Sequence, residues 1–132
     1  MENKYDEVLQ RHTSLIADKN INKEENCLKR AEMIYLGEVI AAHRCNYKCC
    51  KCGSEKNLQI HHKITRPERD NMRESKKIKR YYYENITLLC TDCHYREHEG
   101  KPNNGESGKC ISERRMNKLK DVIIHGFKKA VF

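Results

Sequence analysis

The chain carries two CxxC pairs, Cys49/Cys52 and Cys90/Cys93, and the second runs straight into His94 and His98. No other feature restricts the fold as much. Each pair offers two thiolates from one turn, and two pairs complete a tetrahedron, a donor set that suits zinc. Four thiolates leave no open position, so an ion there holds the chain together and does no chemistry. It would clamp the loop before a first strand to the start of a helix. The bland alternative is four buried thiols without metal. At 132 residues the chain makes one compact domain with a modest core, and small cores gain from a metal staple. Cys27, Cys45, Cys50 and Cys110 are left over. Cys45 and Cys50 lie close enough to compete as ligands, and Cys27, on a predicted helix, reads as a small core residue.

Residues 1–5 contain no apolar stretch like that of a signal peptide. The longest plain aliphatic run, Val39-Ile40-Ala41-Ala42, is far short of a membrane span. The expectation is a cytoplasmic protein with no membrane partner, whose thiols serve metal rather than disulfides. A net charge of +8 points to a polyanionic partner, with simple solubility as the plain alternative.

In chain order, Tyr5, Val8, Leu9, His12, Leu15 and Ile16 recur at helical spacing and predict a helix over 3–17. Asn22-Lys23-Glu24-Glu25 has the form of a capping box, which predicts a second helix to about Arg44 with Leu28, Ala31, Ile34, Tyr35, Val39 and Ala42 inward. This helical pair reads as a packing platform or as the surface of a homodimer. Gly53 frees the backbone after the first CxxC. Leu58 to His62 alternates as a short strand, with His61 and His62 on opposite faces. Arg66-Pro67 closes it. Ile86 to Leu89 is the partner strand, and Thr91 or Asp92 caps a short helix reaching His98. Residues 100–110 read as a linker, and Ser112 to about Ala130 as a last helix with Met116, Leu119, Val122, Ile123 and Phe127 inward. The fold class is α+β. It divides into an N-terminal helical segment (1–44), a ββα core (45–100), and a linker with a C-terminal helix (101–132).

A second constellation remains once the thiols are spent. His94 and His98 are four apart and share a helix face. His61 can add a third imidazole from the strand, and three neutral imidazoles leave open positions, the mark of a catalytic metal. His62 points elsewhere and is available as a base, since an imidazole titrates near neutral pH. Any one of these histidines, taken singly, is a surface or zinc-flanking residue. Their joint order is what gives the pattern weight.

At these residues the chain resembles the HNH endonucleases, with their ββα-metal (His-Me finger) fold. The resemblance covers Cys49 to His98: CxxC, then Ile60-His61-His62, then Asn85-Ile86-Thr87-Leu88-Leu89-Cys90-x-x-Cys93-His94-x-x-x-His98. It implies that His62 is the general base and Asn85 the residue bracing the loop between the strands. His61, His94 and His98 would hold one divalent metal. Cys49, Cys52, Cys90 and Cys93 match the zinc knuckle found in many members. The usual Gly-rich turn is replaced here by a long basic segment, Arg66 to Tyr83.

The expected activity is therefore metal-dependent hydrolysis of nucleic-acid phosphodiesters, with DNA as the preferred substrate. The expected cofactors are a structural zinc and a catalytic Mg²⁺, Mn²⁺, Ni²⁺ or Zn²⁺. Lys63, Arg66, Arg69, Arg73, Lys76, Lys77, Lys79 and Arg80 would track phosphates. Tyr81 to Tyr83 would stack on bases or pack inward. A small free-standing chain of this kind fits a bacterial or phage-infected cell. The competing reading is a non-catalytic zinc module that binds nucleic acid. It needs the cysteines and the basic surface but not the histidines and Asn85 together. A RING-type domain would need two interleaved four-ligand sites, which the spacing does not supply.

Overall fold

A computed structural model describes residues 3–21, 23–63, 82–97 and 110–126. Helix α1 (Tyr5–Ala17) forms where predicted. It buries Val8, His12 and Leu15 on one stripe, and Asp6 and Glu7 in its first turn complement the helix dipole. Helix α2 (Cys27–Arg44) begins later than the capping box implied. A 3-10 turn, Glu24–Asn26, precedes it, and the Asn26 side chain makes no cap bond to the helix. That side chain donates instead to the Asn20 carbonyl (2.8 Å), closing the turn between α1 and α2. Asn22 lies outside the described residues. The late start leaves the first turn of α2 beyond the packed face. Leu28 is 74% exposed and Cys27 is exposed too, so neither is the core residue expected.

Further along, α2 buries Met33, Tyr35, Leu36, Val39, Ile40, Ala41 and Ala42. That is wider than one stripe because α2 packs on several sides, against α1, against the second strand and against the last helix. Between α1 and α2, Arg11 Nε donates to Glu32 Oε2 at 2.5 Å. The Glu32 side chain is 3% exposed, and a carboxylate so buried needs that cation.

Strands β1 (Leu58–His62) and β2 (Ile86–Cys90) pair antiparallel, from Leu58 opposite Cys90 to His62 opposite Ile86. Helix α3 (Thr91–Glu97) follows Cys90 directly and packs on both strands, which makes a ββα unit. A short 3-10 turn, Tyr83–Asn85, leads into β2. Helix α4 (Glu113–His125) is capped by Ser112, whose Oγ accepts from the Arg115 N–H (3.1 Å). It buries Leu119, Val122 and Ile123. Arg115 reaches Glu38 on α2 (2.8 Å) and lies over the Tyr35 ring. Gly126, at φ 86°, ends the helix in a conformation that other residues avoid.

The described residues thus form four α-helices and a two-stranded antiparallel sheet, the α+β class expected. Among them no helix is long and apolar enough to cross a membrane. The predicted strand end at Arg66-Pro67, the linker up to Lys109, Phe127 and the predicted helix end at Ala130 lie outside the described residues.

Candidate metal centre

The first CxxC is a turn closed on itself. Cys49 N–H donates to Ser54 O (2.8 Å) and Gly53 N–H to Cys49 O (2.9 Å). Gly53 takes φ 77°, which only glycine adopts cheaply. Cys50 N–H donates to Leu88 O (3.0 Å), which pins this turn to β2. The second CxxC is positioned by the strand-to-helix junction: Cys90 ends β2 and Cys93 lies in the first turn of α3. Thr91 N–H reaches Asn57 O (3.0 Å) and locks the junction to the start of β1.

These constraints bring the sulfurs of Cys49, Cys52, Cys90 and Cys93 within 4.8 Å of one another. The Cys52–Cys90 separation is 3.6 Å. A tetrahedron with Zn–S bonds of about 2.3 Å has edges of about 3.8 Å, so the spacing fits that ion. Cys49, Cys90 and Cys93 are buried, and Cys52 faces solvent. Burial pushes the Cys49 thiol up, but the backbone N–H groups of Cys52, Cys90 and Lys51 outweigh it and bring it down to about 6. Hydrogen bonding to Cys90, then burial, pushes Cys93 up to about 12. One thiolate therefore forms readily, while Cys52 and Cys93 resist ionising beside it. A divalent cation removes that penalty. The four-cysteine group can hold a metal ion such as zinc.

Cys45 and Cys50 are joined as a disulfide, with Cα atoms 5.2 Å apart. For these two residues it corrects the expectation that the thiols serve metal rather than disulfides. It also settles the ligand assignment that sequence left open, because neither sulfur is available to the metal. Cys45 ends α2, so the bond ties that helix to the CxxC turn, and Cys45 Sγ also meets Thr87 Oγ1 at 3.2 Å. Cys27 and Cys110 are free and exposed.

The imidazoles are arranged differently. His61 and His94 are buried, with rings edge to face at 5.1 Å between centroids. His94 Nδ1 lies 2.7 Å from Gln59 Oε1, and Gln59 Nε2 donates to Cys110 Sγ at 3.8 Å. With the amide oriented this way, Nδ1 carries the His94 proton and Nε2 carries the lone pair. Gln59 thus sets the His94 tautomer, the kind of bond an outer residue makes to an imidazole whose other nitrogen is to stay a lone-pair donor. Gln59 was not picked out from the sequence. Strand alternation could have found it, because Gln59 and His61 are two apart and share a face of β1.

His62 is 4% exposed and Asn85 1%. They adjoin through the main chain: Lys63 N–H donates to Asn85 O (2.7 Å), and His62 pairs with Ile86. His98 lies outside the described residues, so the structure places two of the three expected imidazole ligands. Among the described residues the four cysteines are the one group of three or more metal-ligating side chains brought together. Of the expected phosphate-tracking residues, Lys63 is exposed. Arg66, Arg69, Arg73, Lys76, Lys77, Lys79, Arg80 and Tyr81 lie outside the described residues. Tyr82 and Tyr83 are half-buried against His12, which favours packing over base stacking for both.

No protein-family model, curated protein or solved structure matches the chain.

Proposed function

We propose that this chain is a metal-dependent endonuclease of the HNH type, hydrolysing phosphodiester bonds in nucleic acid, with DNA as the first substrate to test. The observation that carries the reading is the His61–His94 pair. Two buried imidazoles from β1 and α3 meet edge to face, with Gln59 setting the tautomer of one. A zinc-stabilised binding module has no need of that arrangement beside its four cysteines.

In this reading His61, His94 and His98 would hold one divalent metal, and a bound ion would supply Lewis-acid stabilisation of the negative charge that develops during cleavage. His62, the last residue of β1, takes a proton from water. The resulting hydroxide attacks phosphorus in line and leaves 5′-phosphate and 3′-hydroxyl ends. Asn85 holds the strand end that carries His62 through its main-chain bond to Lys63. The basic residues from Lys63 to Arg80 neutralise the phosphate backbone, and this positions substrate without reading sequence.

The test is nicking of supercoiled plasmid with Mg²⁺, Mn²⁺, Ni²⁺ or Zn²⁺ added, wild type beside His62→Ala. The expected result is metal-dependent nicking that falls by at least about 10²-fold in the variant. Equal rates would show that His62 is not the base. A wild type that binds DNA but cuts it with none of the metals would make the chain a zinc-stabilised binding module.

A further inference from the structure

His12 is fully buried on α1, where a leucine or phenylalanine would serve helix packing equally well. Its two nitrogens are put to use on backbone from two other parts of the chain. Nδ1 lies 3.0 Å from Met33 O in the middle of α2. Nε2 accepts from the Tyr83 N–H at 3.2 Å. A carbonyl partner requires the proton on Nδ1, and an N–H partner requires the lone pair on Nε2, so the two bonds agree on one neutral tautomer. Burial supports this by pulling the imidazole down to about 4, against the opposing effect of the Met33 carbonyl.

The Tyr83 N–H opens the Tyr83–Asn85 turn, and the first donors of a helical turn have no acceptor within it. The residue before the turn, Tyr82, gives no side-chain cap. The cap comes from seventy-one residues away, on α1. The His12 ring also stacks on Tyr82 (6.1 Å, 7° between planes) and meets Tyr83 edge-on (5.9 Å). Within the turn, Asn85 N–H donates to Tyr82 O (2.8 Å), and Asn85 O accepts from Lys63 N–H (2.7 Å), next to His62. His12, the turn, Asn85 and the end of β1 are therefore linked by consecutive short contacts.

We infer that His12 is a positioning residue for the proposed active site: from the N-terminal helix it caps the turn that carries Asn85 and so holds Asn85 against the His62 end of β1. The inference rests on the nuclease reading for its consequence in catalysis, but not for its structural half. It also gives the N-terminal helices a part in the site beyond that of a packing platform.

The test compares wild type with His12→Phe, which keeps volume and loses both bonds, and His12→Gln, which can restore one or both. Zinc content and plasmid nicking are measured together with amide hydrogen exchange at Tyr83 and Asn85. In His12→Phe zinc should stay at the wild-type level and exchange at both amides should speed by about tenfold, the order of one lost buried hydrogen bond. kcat should fall with KM little changed, and His12→Gln should recover part of both effects. Unchanged exchange at Tyr83 and Asn85 would overturn the inference. So would faster exchange with kcat per folded molecule at the wild-type value, since His12 would then be structural only. Faster exchange in a chain whose wild type cuts no DNA would uphold the capping contact and remove the nuclease reading. Should His12→Phe not fold, the wild-type imidazole ¹⁵N shifts decide the matter: a protonated Nε2 would sink the inference.

Discussion

The two ends of the β1–β2 hairpin are held by different means. At the Leu58–Cys90 end, four sulfurs converge within 4.8 Å, and each pair comes from a single turn that is bonded by its backbone to the sheet region beside it, Cys50 to Leu88 and Thr91 to Asn57. At the His62–Ile86 end, Asn85 and the base candidate are held through a turn whose cap arrives from α1. The sulfur end is held by its own turns, by their bonds to the hairpin and by the Cys45–Cys50 link to the end of α2. The imidazole end needs the helical platform in place. The contrast suggests that the hairpin can lose its reactive geometry without losing its metal scaffold, and that the reverse does not hold.

The largest expected effect breaks the sulfur end. Structural zinc in small domains contributes apparent free energies of about 10–16 kcal/mol. Cys90→Ser, or exhaustive chelation, should therefore unfold the hairpin and carry the imidazole pair with it. Loss of bound zinc and of the cooperative thermal transition would be measured together; a chelated chain with its wild-type melting curve would show that the thiols need no ion. Next comes His62→Ala, expected to lose about 10²–10⁴ in cleavage while zinc content per folded molecule stays at the wild-type value.

A pH titration separates the two ends further. The folded His12 imidazole sits at about 4, below its unfolded value near 6.5. Between those values the unfolded chain binds the extra proton, so stability rises with pH across that window. The contribution is present above about 6.5 and is lost as pH falls towards 4, a change on the order of 3 kcal/mol. Denaturant midpoints measured at several pH values should show this slope in wild type. The slope should flatten in His12→Phe, and parallel slopes in the two proteins would refute it. Smaller again is Gln59→Leu, which frees the His94 tautomer and should weaken binding of the second metal by about 10–100-fold. Calorimetric titration of Mn²⁺ into zinc-loaded protein reads this directly. Smallest is Ser112→Ala, which removes the cap of α4 and should cost about 1 kcal/mol, seen as a small drop in melting temperature with zinc content unchanged.

Much of the fold was legible in the sequence where the determinants are short in range. The α1 stripe, the Leu58–His62 strand, the strand after Asn85, the last helix from about Ser112 and the four-cysteine set all depend on residues a few positions apart, or on a spacing repeated twice. The errors arose where a side chain had a rival partner. Asn26 closed a turn onto Asn20 rather than α2 starting from a box at Asn22, and Cys27 and Leu28 were left outside as a result. Cys45 and Cys50 found each other instead of staying reduced. His12 read only as a stripe residue, because a hydrogen bond to a distant partner leaves no periodic mark, and alternation could place Gln59 beside His61 but not show that it bonds His94.

Thiol spacing and alternation by themselves determined that a metal-binding frame would be built, and from which sulfurs, since a CxxC turn presents both donors wherever it folds. Only the tertiary structure decided how the imidazoles are held. Which nitrogen of His94 carries a proton, and what secures the turn at Asn85, depend on groups distant in sequence. Those groups meet only when α1, α2 and the hairpin pack together.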